Sequence, residues 1–218
     1  FFKSLINLSP FFCCLSFPDP HPPFVAPRPW STTYDPSHVY LPKNRKLDLD
    51  ERVWWHSAFL EGKAKRAAQS GLAYSSGAGF DEDDLRNIVA VYYGMIEAVD
   101  AQIGRVLEKL EELGVLQNTI VIFTSDHGEW LGDHGLLLKG PMLYDGLLRV
   151  PLVIAGPGVP EGMISRSPVS TLDLRSTLAE LCGIKANVDD GLSLVPVMSG
   201  DEERYHAYGE WKVESARS

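Results

Sequence analysis

The sequence predicts an α/β fold with a mostly parallel sheet, and three observations lead to this prediction. Two apolar runs without a polar face, 119–124 and 150–155, are typical of strands buried inside a sheet. A long stretch with apolar residues at helical spacing, 82–113, precedes the first run, and a shorter one, 171–181, follows the second. Strands that alternate with helices indicate a parallel sheet covered by helices.

Composition narrows the class of protein. The chain has 218 residues, of which 44% are hydrophobic and 22% charged, and these are the proportions of a globular protein with a real core. Its formal net charge of −9 argues against a general nucleic-acid binder, because phosphate backbones select basic surfaces. No apolar stretch approaches the ~20 residues of a membrane-spanning helix.

The first half of the chain contains one apolar run and long loop-like stretches. Residues 10–17 are apolar and aromatic between prolines, which predicts a strand buried on both faces. Four prolines around His21 follow it and predict a stiff, extended loop. A short helix is expected near 50–69, which is rich in Ala, Lys and Arg towards its end.

The clearest element is the helix over 82–113. Asp81 is its expected N-cap, and the acidic residues that follow suit the positive end of the helix dipole. Gly114 is expected to end it. The strand at 119–124 then stops at Ser-Asp-His-Gly-Glu, residues 125–129.

Asp126 and His127 are the first candidates for chemistry. Ligand sites in open α/β sheets lie beyond the carboxyl ends of strands, where this pair is expected. A carboxylate and an imidazole can share one divalent cation if the chain turns sharply, and Gly128 permits such a turn. The alternative is an Asp that caps a turn beside an incidental histidine, since two ligands do not complete a metal site.

Lys139 and His21 are the other candidates. Lys139 ends a glycine-studded loop, and an ammonium beside a metal suits an anionic tetrahedral group; the alternative is a solvated surface lysine. His21, stiffened by the flanking prolines, could donate a proton or a hydrogen bond, or could be structural. If the prediction holds, Asp126, His127, Lys139 and His21 converge on one pocket.

Five segments resemble successive blocks of the sulfatase family of the alkaline-phosphatase-like superfamily. They are FCCLSFPDPHPPF (12–24), IVIFTSDHGEWLGDHGLLLK (120–139), LRVPLVIAGPG (148–158), VSTLDLRSTLAELCG (169–183) and DGLSLVPVMSG (190–200). The resemblance implies a three-layer α/β/α sandwich and hydrolysis of sulfuric esters of small molecules or carbohydrates. It also implies a divalent metal, usually Ca²⁺ and often Mn²⁺ in the phosphonate monoester hydrolases of the same group. Family members are secreted, periplasmic, lysosomal or cytoplasmic.

The resemblance also implies a role for each candidate. Asp126 and His127 resemble metal ligands, Lys139 the lysine that holds the sulfate oxygens, and His21 the histidine near the leaving-group oxygen. The family's formylglycine nucleophile arises from a C/S-x-P/A-x-R pattern, which none of the three cysteines fits. We therefore expect residues 1–200 to be the C-terminal part of a longer catalytic domain, with the nucleophile segment missing, and residues 201–218 to begin a truncated C-terminal subdomain.

Three functions remain open at this point. The first is a sulfatase fragment that is inactive alone, the second a phosphonate or phosphate ester hydrolase on the same scaffold, and the third a non-catalytic metal-binding remnant.

Overall fold

The computed structural model describes residues 10–45, 81–140, 142–185 and 190–210. Contacts divide the chain into two compact units. The first comprises Phe1–Leu113 and Glu129–Met142, and the second comprises Gly114–Gly128 and Leu143–Ser218. The predicted division at residue 200 stays a prediction.

Helix α1, Glu82–Glu112, dominates the first unit and confirms the predicted helix almost residue for residue. Its 31 residues span roughly 46 Å at ~1.5 Å per residue. Asp81 caps it as predicted: its carboxylate accepts a hydrogen bond from the Asp84 amide at 2.8 Å. The Asp84 carboxylate in turn accepts from the Asp81 amide at 3.4 Å, which completes a capping box.

The core of the first unit forms where α1 meets the loops on either side of it. Its buried members are Val39, Leu85, Val89, Ala90 and Leu137. The 3₁₀ helices Trp30–Thr32 and Pro36–His38 also contact α1. Gly94 allows the first of these contacts, because a Cβ there would lie 2.2 Å from the Trp30 carbonyl oxygen.

The second unit contains the strands β1, Val121–Thr124, and β2, Leu152–Ala155. They pair antiparallel, with Phe123 opposite Val153. Three helices follow β1 in sequence: α2, Asp145–Leu148; α3, Asp173–Leu181; and α4, Val195–Ser199. Helix α3 confirms the helix predicted over 171–181, and α3 contacts α4.

A buried polar network ties the segments around α3 together. The Asp173 carboxylate accepts hydrogen bonds from the amides of Ser170 and Leu192, both at 2.8 Å, and from the Arg204 guanidinium at 3.0 Å. Arg204 also donates to the Ser193 carbonyl at 2.8 Å. Because both charged side chains are almost fully buried, this network holds 170–173, 192–193 and 204 in a fixed arrangement.

Two strand predictions need correction. Residues 10–17 form no strand, and Phe12 is 81% exposed, so the prediction of a strand buried on both faces is wrong. An apolar run becomes a strand only where a neighbour takes its backbone hydrogen bonds, and this run has no strand partner among the described residues. Strand β1 exists, but it pairs antiparallel with β2, so the predicted parallel arrangement is wrong for this pair; the apolar run marks a strand but does not encode the direction of its neighbour.

Two further expectations concern a helix near 50–69 and the absence of a membrane-spanning helix. The helix expected near 50–69 lies outside the described residues. None of the helices in the described part of the chain has both the length and the hydropathy that crossing a bilayer requires.

Candidate functional site

Asp126 and His127 lie directly beyond the carboxyl end of β1, as predicted. Asp126 Oδ1 accepts a hydrogen bond from the His127 amide at 2.9 Å, which fixes the carboxylate against its neighbour. The Ser125 hydroxyl donates to the His127 carbonyl at 2.9 Å and closes the turn. This role of Ser125 is not among the predictions from the sequence, although its place beside the pair is a signal for it.

Gly128 is needed here for a different reason from the one expected. Its backbone does not adopt the left-handed region; instead a Cβ would lie 2.0 Å from the Gly146 carbonyl oxygen. The Gly128 amide donates to the Leu147 carbonyl at 2.8 Å, so the two backbones touch. Close approach of the chain around α2 therefore sets the position of His127.

The ring nitrogens of His127 have distinct roles. Nδ1 lies 2.8 Å from the Gly128 carbonyl oxygen, which can only accept, so Nδ1 carries a proton. Nε2 lies 3.6 Å from Asp126 Oδ2. In the neutral tautomer two electron-rich atoms then face each other, an arrangement that a cation stabilises. Metal-bound histidines commonly donate their second nitrogen to a carbonyl in this way.

These two residues fit a divalent cation but do not complete its ligand set. The Asp126 carboxylate suits Ca²⁺ or Mn²⁺, whereas the His127 imidazole suits a transition-metal ion and is not a usual ligand of Ca²⁺. Within the described ranges, no group of three or more His, Cys, Asp or Glu side chains is placed to hold a metal ion. Asp126, with 85% of its side chain exposed, and the half-buried His127 would therefore supply part of a site.

His21 belongs to the first unit and lies exposed in the proline-rich loop. Its amide donates to the Pro18 carbonyl at 3.0 Å, and its Nδ1 lies 2.7 Å from the Pro22 carbonyl oxygen. Because that oxygen can only accept, the neutral ring carries its proton on Nδ1, and the lone pair of Nε2 is left to accept a hydrogen bond. The loop is anchored farther along by Phe24, whose ring packs edge-to-face on Tyr92 of α1 at 5.9 Å.

Lys139 also belongs to the first unit and is exposed at the end of a tightly wound loop. Three non-glycine residues of that loop adopt positive φ: Leu131 (45°), His134 (52°) and Leu138 (65°). Such angles are costly for side chains with a Cβ and persist where surrounding contacts impose them. Here Leu131 and Leu138 pack against the core, so packing holds the loop that carries Lys139.

Glu129 lies between the Asp-His pair and this loop in sequence. Burial raises the pKa of Tyr92 to about 12, and the Glu129 carboxylate contributes to the rise. Glu129 and Tyr92 are both in the first unit, so the carboxylate belongs to the surroundings of α1.

The four predicted site residues are thus carried in pairs. Asp126 and His127 are adjacent in the second unit, and His21 and Lys139 lie in the first. The predicted convergence of all four on one pocket stays a prediction.

Comparisons with known proteins agree with one another. The family model described as Sulfatase matches residues 5–184. A choline-sulfatase of Rhizobium meliloti is 32% identical over 95% of this chain and 39% of its own length. The crystal structure of a phosphonate monoester hydrolase of Agrobacterium radiobacter superposes with a TM-score of 0.71 at 32% identity, over 91% of this chain and 40% of that one.

A third similar structure was solved in complex with its substrate, D-glucosamine-2-N,6-O-disulfate. It superposes with a TM-score of 0.52 at 31% identity, over 59% of this chain and 26% of that one. The present chain spans about two fifths of the length of the first two relatives.

Proposed function

The chain belongs to the sulfatase family, and on that premise we propose that it is the metal-binding and sulfate-binding part of a sulfuric ester hydrolase. The observation that carries the proposal is the Asp126-His127 pair at the end of β1, with the histidine proton fixed on Nδ1. The fold is α/β, as in its structural neighbours. We extend this to a three-layer α/β/α sandwich, which the resemblance implies and the described two-stranded sheet only begins.

Asp126 and His127 would hold a divalent cation, for which we propose Ca²⁺, with Mn²⁺ as the alternative. When bound, such a cation stabilises the negative charge on the oxygens of the ester. The Asp126 side chain is 85% exposed, so the carboxylate is accessible to a ligand while its Oδ1 keeps the hydrogen bond from the His127 amide. The Gly128 hydrogen bond holds the His127 ring in one tautomer.

Lys139 would bind a sulfate oxygen through its ammonium group, which neutralises charge on the anion. His21 in its protonated form would hold a proton on Nε2 for the leaving alcohol, because Nδ1 is committed to the Pro22 carbonyl. The formylglycine nucleophile of the family matches none of the contexts of Cys13, Cys14 and Cys182. We therefore expect the chain alone to hydrolyse neither sulfate nor phosphonate esters at a useful rate.

A phosphonate monoester hydrolase is the second candidate. Two phosphonate monoester hydrolases superpose with TM-scores of 0.67 and 0.71 over 88% and 91% of this chain, and the structure with the glucosamine disulfate superposes with 0.52 over 59%, so both kinds of enzyme are similar to the chain. The candidate residues suit both esters, because sulfate and phosphonate present similar tetrahedral oxygens to a cation and an ammonium group.

The experiment measures cation binding and turnover together. Calorimetric titration of the purified protein with Ca²⁺ and Mn²⁺ is expected to show one site. Asp126→Ala should weaken it by about 100-fold or more, since the loss of even an outer-shell partner costs 10–100-fold. Asp145→Ala is the matched control, because Asp145 is a similarly exposed carboxylate of the same unit, with 82% of its side chain accessible.

Turnover is then assayed on an aryl sulfate and an aryl phosphonate side by side. Metal-dependent hydrolysis that disappears in Asp126→Ala would show that the chain has a nucleophile of its own. A much higher rate on the phosphonate would replace the first function by the second. Equal cation affinity in Asp126→Ala and the native chain would refute the metal role of Asp126.

A further inference from the structure

An open cleft with a volume of about 570 Å³ lies in the first unit beside the first turns of α1. It is lined by residues 37–41, by Arg45 and by Arg86. Two guanidinium groups thus face one cleft of a protein whose formal net charge is −9. None of Asp126, His127, Lys139 and His21 lines it.

Arg45 is already neutralised. Two of its nitrogens, Nε and Nη2, donate to one carboxylate oxygen of Glu82, and Nη1 donates to the Pro42 carbonyl at 3.3 Å. The ion pair therefore uses the positive charge of Arg45 and fixes the guanidinium at the wall of the cleft.

Arg86 is not neutralised in this way. One of its nitrogens donates to the Val39 carbonyl, whereas a guanidinium has five N–H donors in all. Glu82, one helical turn earlier, would be the natural partner but pairs with Arg45. Across the described residues, no carboxylate forms an ion pair with the half-buried Arg86.

Arg204, whose side chain is 11% exposed, is paired with carboxylates. Its three nitrogens bind Asp173, Glu202 and the Ser193 carbonyl. A partly buried charge is costly without a counter-ion, so a guanidinium that has no carboxylate partner among the described residues favours the binding of an anion. Tyr40, whose side chain is 93% exposed, offers a ring at the same cleft.

We propose that this cleft binds a tetrahedral oxyanion, a sulfate or phosphate group, with the Arg86 guanidinium as its main contact. Arginine suits this ligand because its planar fork donates two parallel hydrogen bonds to two oxygens. The site is distinct in its residues from the proposed Lys139 site, and it does not depend on hydrolysis of any ester. It adds a second place at which the protein recognises anions.

The test is an NMR titration of the ¹⁵N-labelled protein with sodium sulfate, with ionic strength held constant by sodium chloride. Saturable shifts are expected for the Arg86 side-chain Nε–H and for the amides of Tyr40 and Leu41. Arg86→Gln should weaken this binding by about tenfold or more, because hydrogen bonds to a charged group are lost. Arg105→Gln is the matched control, since Arg105 lies exposed on the same helix and donates to Gln102.

Three further arms separate the sources of binding. Inorganic phosphate should shift the same signals, and acetate should do so only at much higher concentration. Lys139→Ala should leave the cleft signals unchanged, so that a failure of the proposed Lys139 site and a failure of this one are told apart. Arg86→Lys, which keeps the charge and the stem, should bind with intermediate affinity and covers the case in which Arg86→Gln does not fold.

Several outcomes would overturn the proposal. Shifts that grow linearly without saturation, or equally with chloride alone, would show only general screening. The same sulfate affinity in Arg86→Gln as in the native chain would remove Arg86 from the site. Loss of the cleft shifts in Lys139→Ala would assign the binding to the Lys139 loop instead.

Discussion

Removing the Asp173 carboxylate should destabilise the second unit more than any surface substitution. The side chain of Asp173 is 9% exposed and that of Arg204 is 11% exposed, so the pair is shielded from water. Asp173→Ala leaves the Arg204 charge without this partner and two backbone amides, those of Ser170 and Leu192, without their acceptor. Breaking a buried pair from one side costs about 3–5 kcal/mol.

That loss is large beside the total stability of a domain, which is about 5–15 kcal/mol. The assay is urea denaturation followed by circular dichroism at 222 nm, with the slope of the transition compared between variants. Asp145→Ala is the control, because the Asp145–Arg149 pair is exposed and its removal should cost less than about 1 kcal/mol.

A double variant tests the cause. In Asp173→Ala combined with Arg204→Met the guanidinium that lost its Asp173 partner is gone, so the combined loss should fall short of the sum of the single losses by at least about 1 kcal/mol. Strict additivity would show that the two side chains do not stabilise each other. A loss below about 1 kcal/mol for Asp173→Ala would refute the argument from burial.

Three other substitutions test features described above. Gly128→Ala should lower the free energy of unfolding by about 1–3 kcal/mol and weaken Mn²⁺ binding, because its Cβ would meet the Gly146 carbonyl. Gly104→Ala is the control and should have neither effect, because its Cβ meets nothing within 4 Å. Equal effects of the two substitutions in denaturation and calorimetry would contradict this. Because the pKa of Tyr92 is raised to about 12 by folding, its contribution to stability is present below pH 10 and is lost as the pH rises towards 12. Tyr92→Phe should therefore reduce the fall of the urea midpoint at alkaline pH. Tyr40→Phe is the control and should leave that fall unchanged, because Tyr40 is exposed. Phe123→Thr should raise the solubility of the protein, measured by ultracentrifugation, because Phe123 and its partner Val153 expose an apolar sheet face. An unchanged solubility limit would show that this face does not drive association.

Local signals in the sequence predicted local structure well. Helix α1 could be bounded because its N-cap, its acidic first turn and its apolar spacing all lie within the segment itself. The position of Asp126 and His127 beyond β1 followed from the same kind of signal. Family membership was likewise evident from short motifs and is confirmed.

Features that depend on distant contacts could not be predicted. The pairing of β1 with β2 joins segments that are far apart in the sequence, and the run at 10–17 has no strand partner among the described residues. Gly128 was singled out for the wrong reason, since the contact with Gly146 comes from a segment eighteen residues away. Arg86 gives no signal in the sequence, because the absence of a carboxylate partner for it within the described ranges depends on Arg45 binding Glu82.

The residues with positive φ before Lys139 make the position of that lysine depend on packing in the interior of the first unit. Leu131 and Leu138 keep unfavourable angles because neighbours such as Leu85 and Val89 hold them. Local opening in proteins is easiest where buried contacts are few and backbone hydrogen bonds are exposed, so this loop should exchange its amide hydrogens before α1 does. A core cavity, made for example by Val89→Ala, should therefore loosen the loop, and with it the proposed contact of Lys139 with an anion, under conditions in which α1 is still folded.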